Sequence, residues 1–143
     1  HLSIRRQRQM CIRDRNSAIV KALRGNFVLG LLADQNGGKN GTFAPFAGIS
    51  ASTVAGPAAL AIKFGAPLVV IYCRRLSPGR FRFVVEPPLD VSGLPEDKDA
   101  AISELLTRIN AAYENVIRSD PTQWLWGHKR WKTRPPGEPP LYR

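Results

Sequence analysis

The sequence predicts an α/β fold: a mixed, partly parallel sheet flanked by helices and incomplete at the N-terminus. Three observations lead there. Two continuous apolar runs, residues 27–33 and 68–73, read as buried strands. A helical pattern over 53–64 lies between them, and a strand–loop–helix–strand crossover implies a parallel pair. A long amphipathic helix follows at about residues 98–119. Two strands buried on both faces need more covering helices than these residues supply, so a further piece of the fold is expected.

In chain order, residues 17–24 form a short helix closed by Gly25. The strand 27–33 ends abruptly at Asp34-Gln35-Asn36-Gly37-Gly38. Residues 34–52 form a loop rich in Gly, Asn and Ser that carries Phe43 and Phe46. The helix 53–64 has Gly56-Pro57 near its start, Gly65 at its C-terminal cap and Pro67 beyond. The strand 68–73 has strong β-propensity and ends in Arg74-Arg75. Ser77-Pro78-Gly79 is a turn, and 80–86 alternates, with Phe81, Phe83 and Val85 on one face. Ile102, Leu105, Leu106, Ile109, Ala112, Tyr113, Val116 and Ile117 make one buried stripe on the long helix, whose acidic start (Glu96, Asp97, Asp99) suits the helix dipole. Asp120-Pro121 starts a new short helix, and residues 135–143 are an extended Pro-rich tail.

Composition excludes several classes. No apolar run approaches the roughly 20 residues that span a bilayer, and no secretory signal is visible. Two cysteines, Cys11 and Cys73, do not make a disulfide scaffold. The net charge is +10, yet residues 1–15 and 129–143 hold +4 each, leaving a nearly neutral body between two basic ends. The string Met10-Cys11-Ile12-Arg13-Asp14-Arg15 resembles translated sequencing-adapter read-through. Residues 1–15 are therefore expected to be a non-native arm, with the native sequence starting near Asn16.

All three tryptophans lie in 123–132, interleaved with Lys129, Arg130 and Lys132 and followed by Arg134. Tryptophan suits an apolar–aqueous boundary and Arg or Lys suits phosphate, so the block fits an anionic amphiphile or a polyanion. The alternative is that the tryptophans fill a core. Ligands in open α/β sheets sit at the carboxyl ends of strands, which points to Asp34-Gln35 and Arg74-Arg75. Asp34 there either serves a ligand or caps the loop. The Asp34/Asn36/Gly38 spacing fails as an EF-hand, since Lys39 stands where Gly is required and Pro45 where Glu is. No phosphate loop, serine elbow or metal-spaced His/Cys set is present, so no metal is expected.

Several segments in colinear order resemble the bacterial lipid A biosynthesis (lauroyl/myristoyl) acyltransferases of the lysophospholipid acyltransferase superfamily. They are Ala33-Asp34-Gln35-Asn36, Gly41-Thr42-Phe43-Ala44-Pro45-Phe46-Ala47-Gly48, Thr53 with Gly56-Pro57, and Gly65-Ala66-Pro67-Leu68-Val69. The ending Glu114, Ile117-Arg118, Pro121, Gln123-Trp124-Leu125-Trp126, His128, Arg130-Trp131-Lys132, Arg134-Pro135 is similar too. The resemblance spans about 17–143 and implies that 16–143 is the C-terminal part of a single glycerolipid acyltransferase-like domain.

It further implies transfer of a fatty acyl chain from an acyl carrier protein thioester, with no other cofactor, to a hydroxyl of a lipid A precursor or other glycolipid. The reaction would take place at the cytoplasmic face of the bacterial inner membrane, without nucleic acid. The family's catalytic His-x4-Asp/Glu pair has no match here: His1 is followed by Arg5 and Arg6, and His128 by Lys132 and Thr133. No catalytic residue is therefore assigned within this chain, which is expected to be inactive alone. Carried over by position, Asp34 and Gln35 are expected beside the acceptor site, Asn36 and Gly41 to line the substrate site, and Phe43, Phe46 and Gly48 to lie near the acyl chain or membrane. Arg75 faces acceptor phosphates, and Trp124, Trp126, His128, Arg130 and Trp131 form a headgroup-facing or structural block. Ala47 stands where the family often has a second Phe. A small basic Trp-rich module binding anionic lipid or nucleic acid is the alternative reading, and a catalytically dead relative a third.

Overall fold

The computed structural model describes residues 12–142. The chain divides into two units, residues 1–31 and 32–143.

Within the first unit, α1 spans Ile12–Arg24. It starts earlier than its pattern implied, inside the segment expected to be a non-native arm; residues 1–11 of that arm lie outside the described residues. Its stop is not Gly25 but Asn26, which takes the left-handed φ of 58°. Asn26 N–H donates to Leu23 O at 3.2 Å and Phe27 N–H to Ala22 O at 3.0 Å. This paired closure is a Schellman motif, in which Asn is the accepted substitute for Gly. Residues 27–33 are not a strand. A strand needs a neighbour to complete its ladder, and no described strand pairs with it. Phe27, Val28 and Leu32 are 71%, 92% and 94% exposed.

The second unit begins with a bend at Asp34 and a 3-10 turn at Gly38–Asn40. The expected Gly-rich loop then proves to be a hairpin, with β1 at Thr42–Phe46 and β2 at Ile49–Thr53. Phe46 faces Ile49 in the ladder, so Ala47-Gly48 is a two-residue turn. Both turn residues have positive φ, 51° and 76°, the geometry whose twist matches paired strands. Here α2 spans Gly56–Phe64, with Pro57 in its first turn and Gly65 left-handed at φ 59° closing it.

Strand β3 is Ile71–Ser77 and β4 is Arg80–Val85, joined at Pro78-Gly79 as the turn chemistry predicts. The expected buried strand at 68–73 is thus displaced along the chain, and Arg74 and Arg75 lie inside β3 rather than at its end. The apolar run still follows the ladder, since Glu86 N–H bonds Val70 O and Leu89 N–H bonds Leu68 O. Both sheets are two-stranded and antiparallel, and no parallel pair exists among the described residues. The α/β class holds, but the partly parallel sheet is not seen.

The long helix α3 covers Lys98–Ser119, as its periodicity predicts, with Asp97 capping the Ala100 amide. Ile102, Leu105, Leu106 and Ile109 pack on Ala58 and Ala61 of α2 and Ala44 of β1. Burying such a face is what holds a helix of this kind in place. No helix among the described residues is long and apolar enough to cross a membrane.

Candidate functional site

The site is assembled from the Asp34–Asn36 turn, the β1–β2 hairpin, α3 and the C-terminal tryptophan block. Two glycines let the turn lie flat on β2. A Cβ on Gly41 would stand 2.2 Å from Ser52 Oγ, and one on Gly37 would stand 2.8 Å from the Thr53 backbone. Gly37 N–H donates to Ser52 O at 2.8 Å, and Ser52 Oγ donates to Gly38 O at 2.7 Å. Such close backbone approach is possible only without side chains.

The C-terminal block divides by facing. Arg130 is fully buried. Its guanidinium donates to Ser52 O at 2.6 Å, to Thr53 Oγ1 at 2.8 Å and to Asn110 Oδ1 at 3.4 Å. It also stacks 4.8 Å above the Phe46 ring. Asn110 in turn donates to Pro45 O at 2.8 Å. One planar cation thus ties β2, β1 and α3 together, a use to which the forked donors of arginine are suited. Burial pulls the Arg130 pKa down from its ordinary value, and the negative field of Asp34 opposes that. Tyr113 is raised, chiefly by burial and then by Asp34. Asp34, half-buried, is therefore close enough to act on both groups.

Phe46 is 2% exposed, with Trp124 and Trp131 against it at ring separations of 5.6 and 5.7 Å. The Trp131 indole donates to Phe46 O at 3.2 Å. Phe46 is accordingly the centre of an aromatic cluster and offers no open surface to an acyl chain or membrane. Phe43, on the opposite face of β1, is half-buried. Trp126 stacks edge-on to Trp124 at 4.8 Å but remains 57% exposed, beside Leu125 at 67%. Lys129 and Lys132 are exposed as well. So the block is both things at once: Arg130 and Trp131 are structural, and Leu125-Trp126 form an outward tip.

The turn itself is held from the same block. Asn36 N–H donates to His128 Nε2 at 2.9 Å, and Asn36 Nδ2 donates to Thr133 Oγ1 at 3.0 Å. Among the described residues, Asn36 Oδ1, Arg130 Nε and Arg134 Nε are buried and make no hydrogen bond. The tail folds back instead of extending freely: Arg134 pairs with Glu138 and donates to Ser50 O at 2.7 Å, and Tyr142 Oη accepts from Trp131 N–H at 3.3 Å.

Arg75 is not part of this assembly. Its backbone N–H and C=O are bracketed by the Gln123 amide at 2.7 and 3.1 Å, and its guanidinium lies 5.5 Å from the Phe81 ring. Sequence reasoning missed Asn110, whose signal was a polar residue one place beyond Ile109 within the apolar stripe. Glu114 entered only as part of the family-like ending; the structure adds its contact, accepting the Ala47 amide at 2.7 Å.

The family model described as bacterial lipid A biosynthesis acyltransferase matches residues 2–133. The chain belongs to that family. It is 32% identical over 142 residues to a lipid A biosynthesis palmitoleoyltransferase of Escherichia coli (strain K12), covering 97% of this chain and 44% of the relative. The same figures hold for a lipid A biosynthesis acyltransferase of Shigella flexneri. A lipid A biosynthesis lauroyltransferase of E. coli (strain K12) is 31% identical over 142 residues, 97% of this chain and 45% of the relative. The chain thus spans less than half the length of these relatives.

Proposed function

We propose that the full-length protein is an O-acyltransferase of lipid A biosynthesis. It moves a fatty acyl chain from an acyl carrier protein thioester to a hydroxyl of a lipid A precursor, at the cytoplasmic face of the inner membrane. The observation that carries this reading is the Asp34–Asn36 turn, an acidic turn whose position is over-determined from three sides. Acyl transfer to a hydroxyl requires a base and a carboxylate that orients it. In this reading the catalytic His-x4-Asp/Glu pair comes from outside residues 1–143, and Asp34 with Gln35 lies at the acceptor. The outward tip Leu125-Trp126, with Lys129 and Lys132, suits an anionic headgroup layer.

The test is Asp34→Ala in the full-length protein, assayed with acyl-acyl carrier protein and a lipid A precursor. Turnover falls by about a hundredfold or more, with the fold retained and the thermal midpoint lowered only modestly: Asp34 holds no ion pair closer than 4 Å among the described residues, but its negative field supports the buried Arg130. Wild-type turnover in that variant would overturn the role of Asp34.

A further inference from the structure

We propose that His128 is a positioning residue, one that sets the Asp34–Asn36 turn by accepting the Asn36 backbone amide. This rests on the reading of that turn as the acceptor site and adds a group that acts on it indirectly. Nε2 accepts from Asn36 N–H at 2.9 Å, which engages the lone pair of that ring nitrogen. The bond joins residues 92 positions apart.

Its neighbours make the placement rigid. Two positions further on, Arg130 is buried and locked to Ser52, Thr53 and Asn110. Three beyond that, Thr133 takes the Asn36 side chain. Backbone and side chain of Asn36 are thereby held by one segment, and Gly37 next to it is held by β2. The Asp34 carboxylate is two residues from this anchor. A shift of the turn by about an ångström is enough to cost a reaction up to a hundredfold. Lysine or arginine at position 128 would bring only donors to a site that needs an acceptor.

The experiment compares His128→Ala and His128→Gln in the full-length protein. Glutamine restores a side-chain carbonyl acceptor without an imidazole. Two readouts are taken: hydrogen exchange at the Asn36 amide, and kcat for acyl transfer. His128→Ala is expected to speed exchange and lower kcat, each by about tenfold or more. His128→Gln is expected to return both to within about threefold of wild type. A merely structural loss would show as a lowered thermal midpoint that glutamine does not repair. If the two variants behave alike, or if His128→Ala keeps wild-type exchange, the proposal fails. Exchange that rises while neither His128→Ala nor Asp34→Ala moves kcat would refute the acceptor-site reading, and the positioning role with it. A strong Asp34→Ala effect alongside unchanged kcat in His128→Ala would refute the positioning role alone.

Discussion

Arg130 shows how little a residue's identity says about its facing. Lys129, Arg130 and Lys132 are three cations in four positions, yet one is fully buried and two are exposed. No periodicity governs this segment, because it is held by side-chain bonds instead of a regular helix or strand. The signal that was legible was Trp131 and Arg130 side by side, a pair as apt for a core as for a membrane. Chemistry separates them only after folding, when the guanidinium meets three acceptors. Arg130→Lys keeps the charge but cannot span Ser52, Thr53 and Asn110 together. It should cost about 2–4 kcal/mol in urea unfolding, since at least one buried acceptor is orphaned. A loss below about 0.5 kcal/mol would show that a point charge suffices.

Among elements, α2 and α3 were readable to within a residue or a few, because each declares itself by stripe, cap and stop. The β1–β2 hairpin was not. Its turn is Ala47-Gly48, which lacks the Asn-Gly or Asp-Gly signature, and β1 contains Pro45, which argues against a strand unless that strand is an edge. In a two-stranded sheet every strand is an edge, so the objection lapses. Ala47 is held at φ 51° with its amide bonded to Glu114. Asparagine tolerates that conformation better. Ala47→Asn should therefore stabilise by about 0.5–1 kcal/mol and raise the melting midpoint by about 2–4 °C. Residues 27–33 went the other way. The apolar run announced burial without saying against what, and it forms no ladder within residues 12–142.

At the scale of the molecule, the α/β class and the family were legible from ordered motifs, whereas the sheet's connectivity was not. Pairing depends on which strands are present to be paired. Each two-stranded sheet leaves one surface to be accounted for: on β3 and β4, Ile71, Phe81, Phe83 and Val85 are all more than half exposed. Elsewhere, the Leu125-Trp126 tip stands out on a rigid aromatic base. The 143-residue chain should bind vesicles containing anionic lipid in a salt-sensitive way. Leu125→Ser with Trp126→Ser should weaken that partition by about tenfold. Undiminished binding by the double variant would assign the contact to the basic ends alone.

The Gln123 bracket on Arg75 carries one more consequence. A primary amide presents a donor and an acceptor much as a peptide unit does, so Gln123 behaves as a strand one residue long. Val70 and Leu68 point their carbonyls toward the segment that continues β4, at Glu86 and Leu89, which turns the odd-numbered backbone groups of β3 outward, and Arg75 is one of them. Any additional strand that joins this edge can run alongside Ile71 and Cys73 but meets a plug at Arg75. The long helix thus delivers, just past its end, a register stop for whatever completes the sheet.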